Sequence, residues 1–438
     1  MSAHVETAGV PLSRTGPVTI GLGAGVWFYF ASLTMANALG DPSGLLSLPL
    51  QFTLKDRLGL SPHGLALFEV ITFIPVYFGF AFGFLRDRWR PFGLGDRGYF
   101  LIGGPIAIAC YLWLATSELT YLPLLGAVVL AMAAYQLFDV ASDALLTVVA
   151  QRHQMTGRLS AIVEGSEAVP GILAMLAGAV MVAQSSLLLP LLIAAACSAV
   201  MMVHAVWYPR DAVAAEATPR RESPRAAMVR LWQHRPLRAA VLVAAVWNLS
   251  LAWGTPYLFF LTDELHLSSG VVGLARAAGL ACAIVVAPLY GVLCRRVSLR
   301  HMLRAAVVAS LAPGFLYLLV VDAPDVVIVS VLVGLPTAFG HIALFDLLRR
   351  ACPRDLEGTA ITLSYSALAL AAGAGDVLGA WMYAHAGFAT ALVADALANA
   401  AVLPLLTTLP VGLIERCDGD VESDADSDRD ADAVSEMS

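Results

Sequence analysis

Long unbroken apolar runs dominate the chain, and they do not alternate apolar with polar residues. The stretch 119-LTYLPLLGAVVLAMAAYQLF-138 shows the pattern. A helix crosses a bilayer with about 20 mostly apolar residues, whereas a membrane-spanning strand alternates. The pattern therefore predicts an all-α polytopic membrane protein. Twelve transmembrane helices are expected, at 25–54, 64–85, 98–117, 119–148, 159–183, 186–208, 237–261, 268–293, 301–321, 324–348, 357–384 and 387–410. They divide into six-helix bundles at 25–208 and 237–410. An N-terminal cytoplasmic segment (1–24), a cytoplasmic linker (209–236) and an acidic, disordered tail (411–438) complete the chain.

Composition agrees. The 438 residues are 59% hydrophobic and 13% charged, against about 25% charged in soluble domains, which argues against a soluble enzyme. The net charge of −7 comes from the end of the chain: from Gly412 onward ten acids face two arginines, so the rest carries +1. Such an acidic end is expected to stay solvated. The six cysteines are scattered, with no CxxC pair, and read as small buried hydrophobes without a disulfide framework, metal site or cofactor.

Charge also predicts orientation. Arginines crowd the loops after even-numbered spans, from Arg86, Arg88 and Arg90 through Arg152 and Arg158 to Arg349, Arg350 and Arg354, while the loops after odd-numbered spans hold Lys55 and Arg57. Positive residues stay inside, so both termini are expected in the cytoplasm, with the protein in the inner membrane. The linker is arginine-rich and suits either a plain connection or a contact with anionic lipid.

An internal repeat runs at an offset of 207. It lays 54-LKDRLGLS-61 on 261-LTDELHLS-268, Pro49 on Pro256 and Asp139 on Asp346. With a slip of one, Gly83 meets Gly291 and Arg88 meets Arg296. Two parallel six-helix repeats are the major facilitator arrangement, so transport becomes the leading function.

The candidate chemistry falls into two groups. Asp41 lies in 37-NALGDPSG-44, which the reading breaks at mid-depth by Pro42 and its glycines. Irregular backbone at that depth is tolerated where it lines a cavity. The repeat register sets Asn248 opposite Asp41, and Glu69, Arg276 and Asp376 are further sparse polar residues in spans. These five are the expected substrate and proton-coupling residues. Arg276 suits an anionic group, and His341 is a further candidate proton carrier. The second group is a cytoplasmic gate. Gly83 and Asp87 begin a Gly-x-x-x-Asp-Arg turn in which Gly83 allows close helix approach, Asp87 suits a helix N-terminus, and Arg86 or Arg88 could pair with an acid on the fourth span. Asp139 and Asp143 share a helix face, as do Glu164 and Glu167. Asp346 beside Arg295 and Arg296 forms the matching gate of the second half.

The blocks 52-FTLKDRLGLSP-62, 83-GFLRDRWRPFGLGDRGYFLIGG-104, 136-QLFDVASDALL-146 and 350-RACPRDLEGTAITLSYSALA-369 resemble the folate–biopterin transporter family. The matching motif positions are Asp87, Arg88, Arg97, Asp139, Asp143, Cys352, Pro353 and Glu357. The loop reads Gly95–Asp96–Arg97–Gly98, where the family pattern has two adjacent arginines, then another basic or small residue and Tyr; only Arg97 and Tyr99 fit it. The resemblance implies a major facilitator fold and proton-coupled uptake of a pterin-containing or similar organic anion. The expected partners are a small-molecule substrate, protons and the lipid bilayer, with no nucleic acid, for a monomeric, non-enzymatic chain. Two alternatives stay open: proton-driven efflux of a hydrophobic compound, and a non-transporting assembly or pigment-delivery factor. A polar cavity favours transport; a packed interior with an apolar outer groove favours the delivery factor.

Overall fold

The computed structural model describes residues 23–60, 67–68, 70–183, 187–207, 223–354 and 356–419. Among them there are helices and no strands. Eight helices are long and apolar enough to cross a membrane. They include α5 (Asp96–Thr116), α6 (Tyr121–Arg152), α7 (Thr156–Ala183) and α8 (Leu188–Val206). Further along come α12 (Ser269–Leu293), α13 (Leu299–Leu311, extended by a 3-10 turn), α14 (Ala323–Ala351) and α15 (Glu357–Leu405). Gly387, at φ 76°, breaks α15 into two lengths, at the boundary expected between the last two spans.

The other expected spans are helical in pieces. The first is α1 (Ala24–Gly40), a turn, then α2 (Ser47–Phe52). The second contains α3 (Ile74–Tyr77) and α4 (Gly79–Arg88). The seventh is α10 (Arg235–Trp247), a turn, then α11 (Thr255–Phe259). The break after α1 has a local cause. Pro42 disfavours the helical region for the residue before it, and Asp41 sits at φ −58°, ψ 139°. Tyr111 donates its hydroxyl to the Gly40 carbonyl at 2.6 Å, and the Asp41 carboxylate accepts the Ser43 N–H at 2.7 Å. That Asx-type turn satisfies the backbone where the helix stops.

A π-helical turn follows α2 at Thr53–Arg57, and another follows α11 at Phe260–Glu264, 207 positions further on. Their closing bonds match: Leu58 N to Thr53 O and Leu60 N to Leu54 O in one, Leu265 N to Phe260 O and Leu267 N to Leu261 O in the other. Gly59 and His266, also 207 apart, both take positive φ.

Buried apolar residues form one cluster wholly from Tyr29 to Ala205, a second from Ala227 to Ile414 joined by Ala161, and a third between Ala252 and Leu392. The two parts of the chain meet where small residues let backbones approach. A Cβ on Gly83 would run into the Gly358 carbonyl, so α4 presses directly on α15; one on Gly165 would meet Ala287 of α12 at 2.8 Å.

Two segments read as irregular are ordered. Part of the linker forms α9 (Pro224–Gln233), capped by the Ser223 hydroxyl, with Ala227 and Leu231 buried and Trp232 exposed. The start of the acidic tail forms α16 (Val411–Ile414), and Asp418 beyond it is buried. Charge density alone hid both, because a few apolar anchors are enough to seat such a segment.

Candidate functional site

A cavity of about 1200 Å³ lies between the two parts of the chain. Five carboxylates line it (Asp41, Asp139, Asp143, Glu164 and Glu167), together with Arg276, His341 and Arg349. Helical spacing brings them there. Asp139 and Asp143 lie one turn apart on α6, Glu164 and Glu167 one turn apart on α7, and His341, Phe345 and Arg349 repeat every four residues along α14. The cavity runs from Ser43, Gly44 and Gly270 at one end to Asp143, Arg349 and Tyr365 at the other.

Bonds within the wall hold these groups. Asp139 accepts from Asn37 Nδ2 at 2.5 Å and from Gln136 Nε2 at 3.0 Å, tying α1 to α6. Glu164 Oε2 and His341 Nδ1 stand 3.1 Å apart, joining α7 to α14. Arg349, 1% exposed, donates to Ser160 Oγ at 2.7 Å and to the Tyr365 hydroxyl at 3.4 Å, and lies 3.7 Å from Asp143. Arg349 lies one residue beyond the span expected at 324–348, among the arginines assigned to the loop, whereas the helix continues to Ala351. Its four-residue spacing from His341 and Phe345 was the signal that places it on the cavity face.

Below this floor the arginine-rich end is closed by contacts between the two parts. Asp87 accepts from the backbone N–H groups of Gly358 and Thr359 at 3.1 and 2.7 Å, and from the Thr359 hydroxyl at 2.6 Å. It therefore occupies the N-terminus of α15, where backbone donors and the helix dipole favour an anion. Gln151 Nε2 donates to the carbonyls of Arg349 and Cys352 at 2.6 and 2.9 Å. Arg350 Nε reaches Thr156 Oγ1 at 3.0 Å. Asp418 accepts from Arg158 Nε at 2.7 Å and from Gly157 N at 3.2 Å, at the start of α7.

Several expected contacts are made with other partners. Arg86 grips Asp96 through Nε and Nη2 at 2.6 and 2.7 Å and touches Asp87 at 3.1 Å, in place of an acid on α6. Arg88 lies over the Phe84 ring at 4.2 Å. Asp346 is fully buried against Arg350 of its own helix at 2.8 Å and the Tyr290 hydroxyl at 3.0 Å, whereas Arg295 and Arg296 are exposed. Arg350 sits four residues from Asp346, so helix geometry pairs them first. Asp376 is not among the cavity-lining residues; it accepts from Thr255 N and Oγ1 at 2.5 and 2.8 Å and caps α11. Asn248, also off the cavity wall, donates to the Leu368 carbonyl at 3.1 Å. Glu69 lies outside the described residues.

A polar cavity enclosed by long membrane-length helices, closed at one end by contacts between two helical parts, is the build of the major facilitator fold. The fold matches the transporter FucP, the fucose:proton symporter of E. coli, solved in the outward conformation. The TM-score is 0.66 at 14% identity, over 88% of this chain and 98% of that one. It also matches the human organic anion transporter MFSD10, with a TM-score of 0.60 at 17% identity over 87% and 99%. At those identities the likeness concerns the fold.

The chain belongs to the BT1 family, whose profile matches residues 40–429. The folate-biopterin transporter of Synechocystis sp. is 22% identical over 396 residues, covering 84% of this chain and 79% of that protein. The protein is thus a membrane transporter of this family.

Proposed function

We propose that the protein is a proton-coupled secondary transporter that carries a folate or pterin across the inner membrane by alternating access. The observation that carries this reading is the cavity itself, lined by acids and cations from both parts of the chain, with a sealed arginine-rich end below it. Its volume suits a drug-sized organic solute. A delivery factor that moves nothing has no need of such a chamber. The relative's name supplies the cargo class.

In this reading twelve segments span the membrane as two parallel six-helix repeats, acting as a monomer with both termini in the cytoplasm. The matching π-turns of the first and seventh segments support the repeat. Asp41 and Arg276 meet solute and protons from the upper wall. Asp139, Asp143, Glu164 and Glu167, first read as gate residues, work on the lower wall. Asp87 with α15, Arg86 with Asp96, and Asp346 with Arg350 keep the cytoplasmic end shut while the cavity faces outward.

Uptake into proteoliposomes tests the reading. Labelled folate or biopterin should accumulate several-fold more with an acid exterior than at equal pH. Accumulation of neither compound above protein-free vesicles, or accumulation that does not change with the gradient, overturns it.

A further inference from the structure

Glu164 and His341 meet where the two parts of the chain adjoin, one on α7 and one on α14. The His341 side chain is 46% exposed, while that of Glu164 is 14% exposed. Phe345 packs edge-on against the imidazole at 4.9 Å and fixes its plane. With Nδ1 committed to Glu164, the ring's other nitrogen, Nε2, is the position left for a ligand. Arg349, further along the same face of α14, is buried beneath Ser160 and Tyr365, so it does not offer itself in the same way.

The charge balance of the wall sets the problem. Five carboxylates stand against Arg276, Arg349 and His341. A solute carboxylate entering a low-dielectric chamber of that balance is repelled unless a cation is released to it. Protonation of Glu164 does this. The added proton turns Glu164 from carboxylate to carboxylic acid, and its hold on the imidazolium weakens. The imidazolium then donates Nε2–H to the solute in a charge-assisted bond. One proton and one carboxylate enter together, and the pair with its guest has the same net charge as the pair without it. Glu167 and Asp143 are the other acids facing this point, with Arg349 and Tyr365 behind them.

We propose that His341 and Glu164 form a proton-gated carboxylate site, in which a carboxylate of the solute binds the imidazolium at Nε2 only when Glu164 takes up a proton. This rests on the transport reading for its physiological use, and it makes His341 the residue that tells a folate, which carries carboxylates, from a biopterin, which has none.

The test is calorimetry on the full chain in lipid nanodiscs at pH 7.5, in two buffers of different ionisation enthalpy. The wild type should take up about one proton per folate bound and none per biopterin. Glu164→Gln fixes the neutral form and should bind folate without that proton. His341→Gln should bind folate about tenfold more weakly, the worth of one charge-assisted bond, with a cooperative unfolding transition retained as proof of folding. Folate affinity retained in His341→Gln, or proton uptake retained in Glu164→Gln, overturns the site.

Should the wild type bind neither compound, the cargo reading fails and the site is judged on matched probes alone. Benzoate and glutarate should then raise the unfolding midpoint more than benzamide and glutaramide do, more at pH 6 than at pH 8, and only when His341 is present. No such preference in the wild type overturns the site as well. The pH direction follows from the proton that must arrive with the carboxylate.

Discussion

Asp87 and Asp418 occupy equivalent places on opposite parts of the chain. Asp87 accepts the Thr359 N–H at 2.7 Å at the first turn of α15, and Asp418 accepts the Gly157 N–H at 3.2 Å at the first turn of α7. Each carboxylate thus caps a helix belonging to the other part. Both caps must release if the arginine-rich end is to open.

Asp87→Asn should weaken that closure. The substitution removes the charge that faces the helix N-terminus, worth about 0.3–1 kcal/mol and up to about 2 when partly buried. The expected outcome is a transport rate lowered several-fold, with equilibrium solute affinity within about twofold of the wild type. A fall confined to affinity would place Asp87 in the binding site instead.

The Asp418 cap is testable through its neighbour. Cys294 Sγ lies 3.6 Å from the Asp418 carboxylate and is buried. In a variant that keeps Cys294 as its sole cysteine, Asp418→Ala should raise the rate of maleimide labelling several-fold. It should also lower stability by about 1–3 kcal/mol, because buried donors lose their acceptor. Labelling no faster than in the parent would show that the cap does not hold this end.

Much of this was legible in the sequence. The apolar runs place the long helices within a few residues, and the offset of 207 anticipates two π-turns that share a hydrogen-bond pattern. Asp41 was legible because proline and glycine beside an acid interrupt an apolar run. Arg349 and Asp418 were not, since topology counting treats every flanking charge alike and burial depends on distant partners, Ser160 from 189 positions away and Gly157 from 261. The assignment of Arg86 failed for a related reason. Its acid, Asp96, comes from the same loop, and sequence alone favoured a helix that lies nearer the cavity.

Asp139→Asn should slow the change of state more than it alters binding. Asp139 links α1 and α6 through Asn37 and Gln136, and the amide keeps the shape while removing the charge. Solute counterflow is expected to fall by about tenfold, the effect of one lost charge-assisted bond, with binding within twofold. A selective loss of equilibrium affinity would contradict this role.

Asp41→Asn should abolish acid-driven uptake while leaving expression and solute-driven exchange intact. Its carboxylate stands at the break after α1 and on the cavity wall. Uptake that still follows the pH gradient would remove Asp41 from the coupling machinery.

The central claim is that the cavity is exposed first on one side of the membrane and then on the other. Electron–electron distance measurements in a variant lacking its six cysteines test it directly. Spin labels are placed at the exposed positions Phe92 and Arg296 on the arginine-rich end, and at Glu118 and Val321 on the opposite end. Addition of folate at acid pH should lengthen the first distance and shorten the second. Two distances that stay fixed, or that change in the same sense, would contradict alternating access.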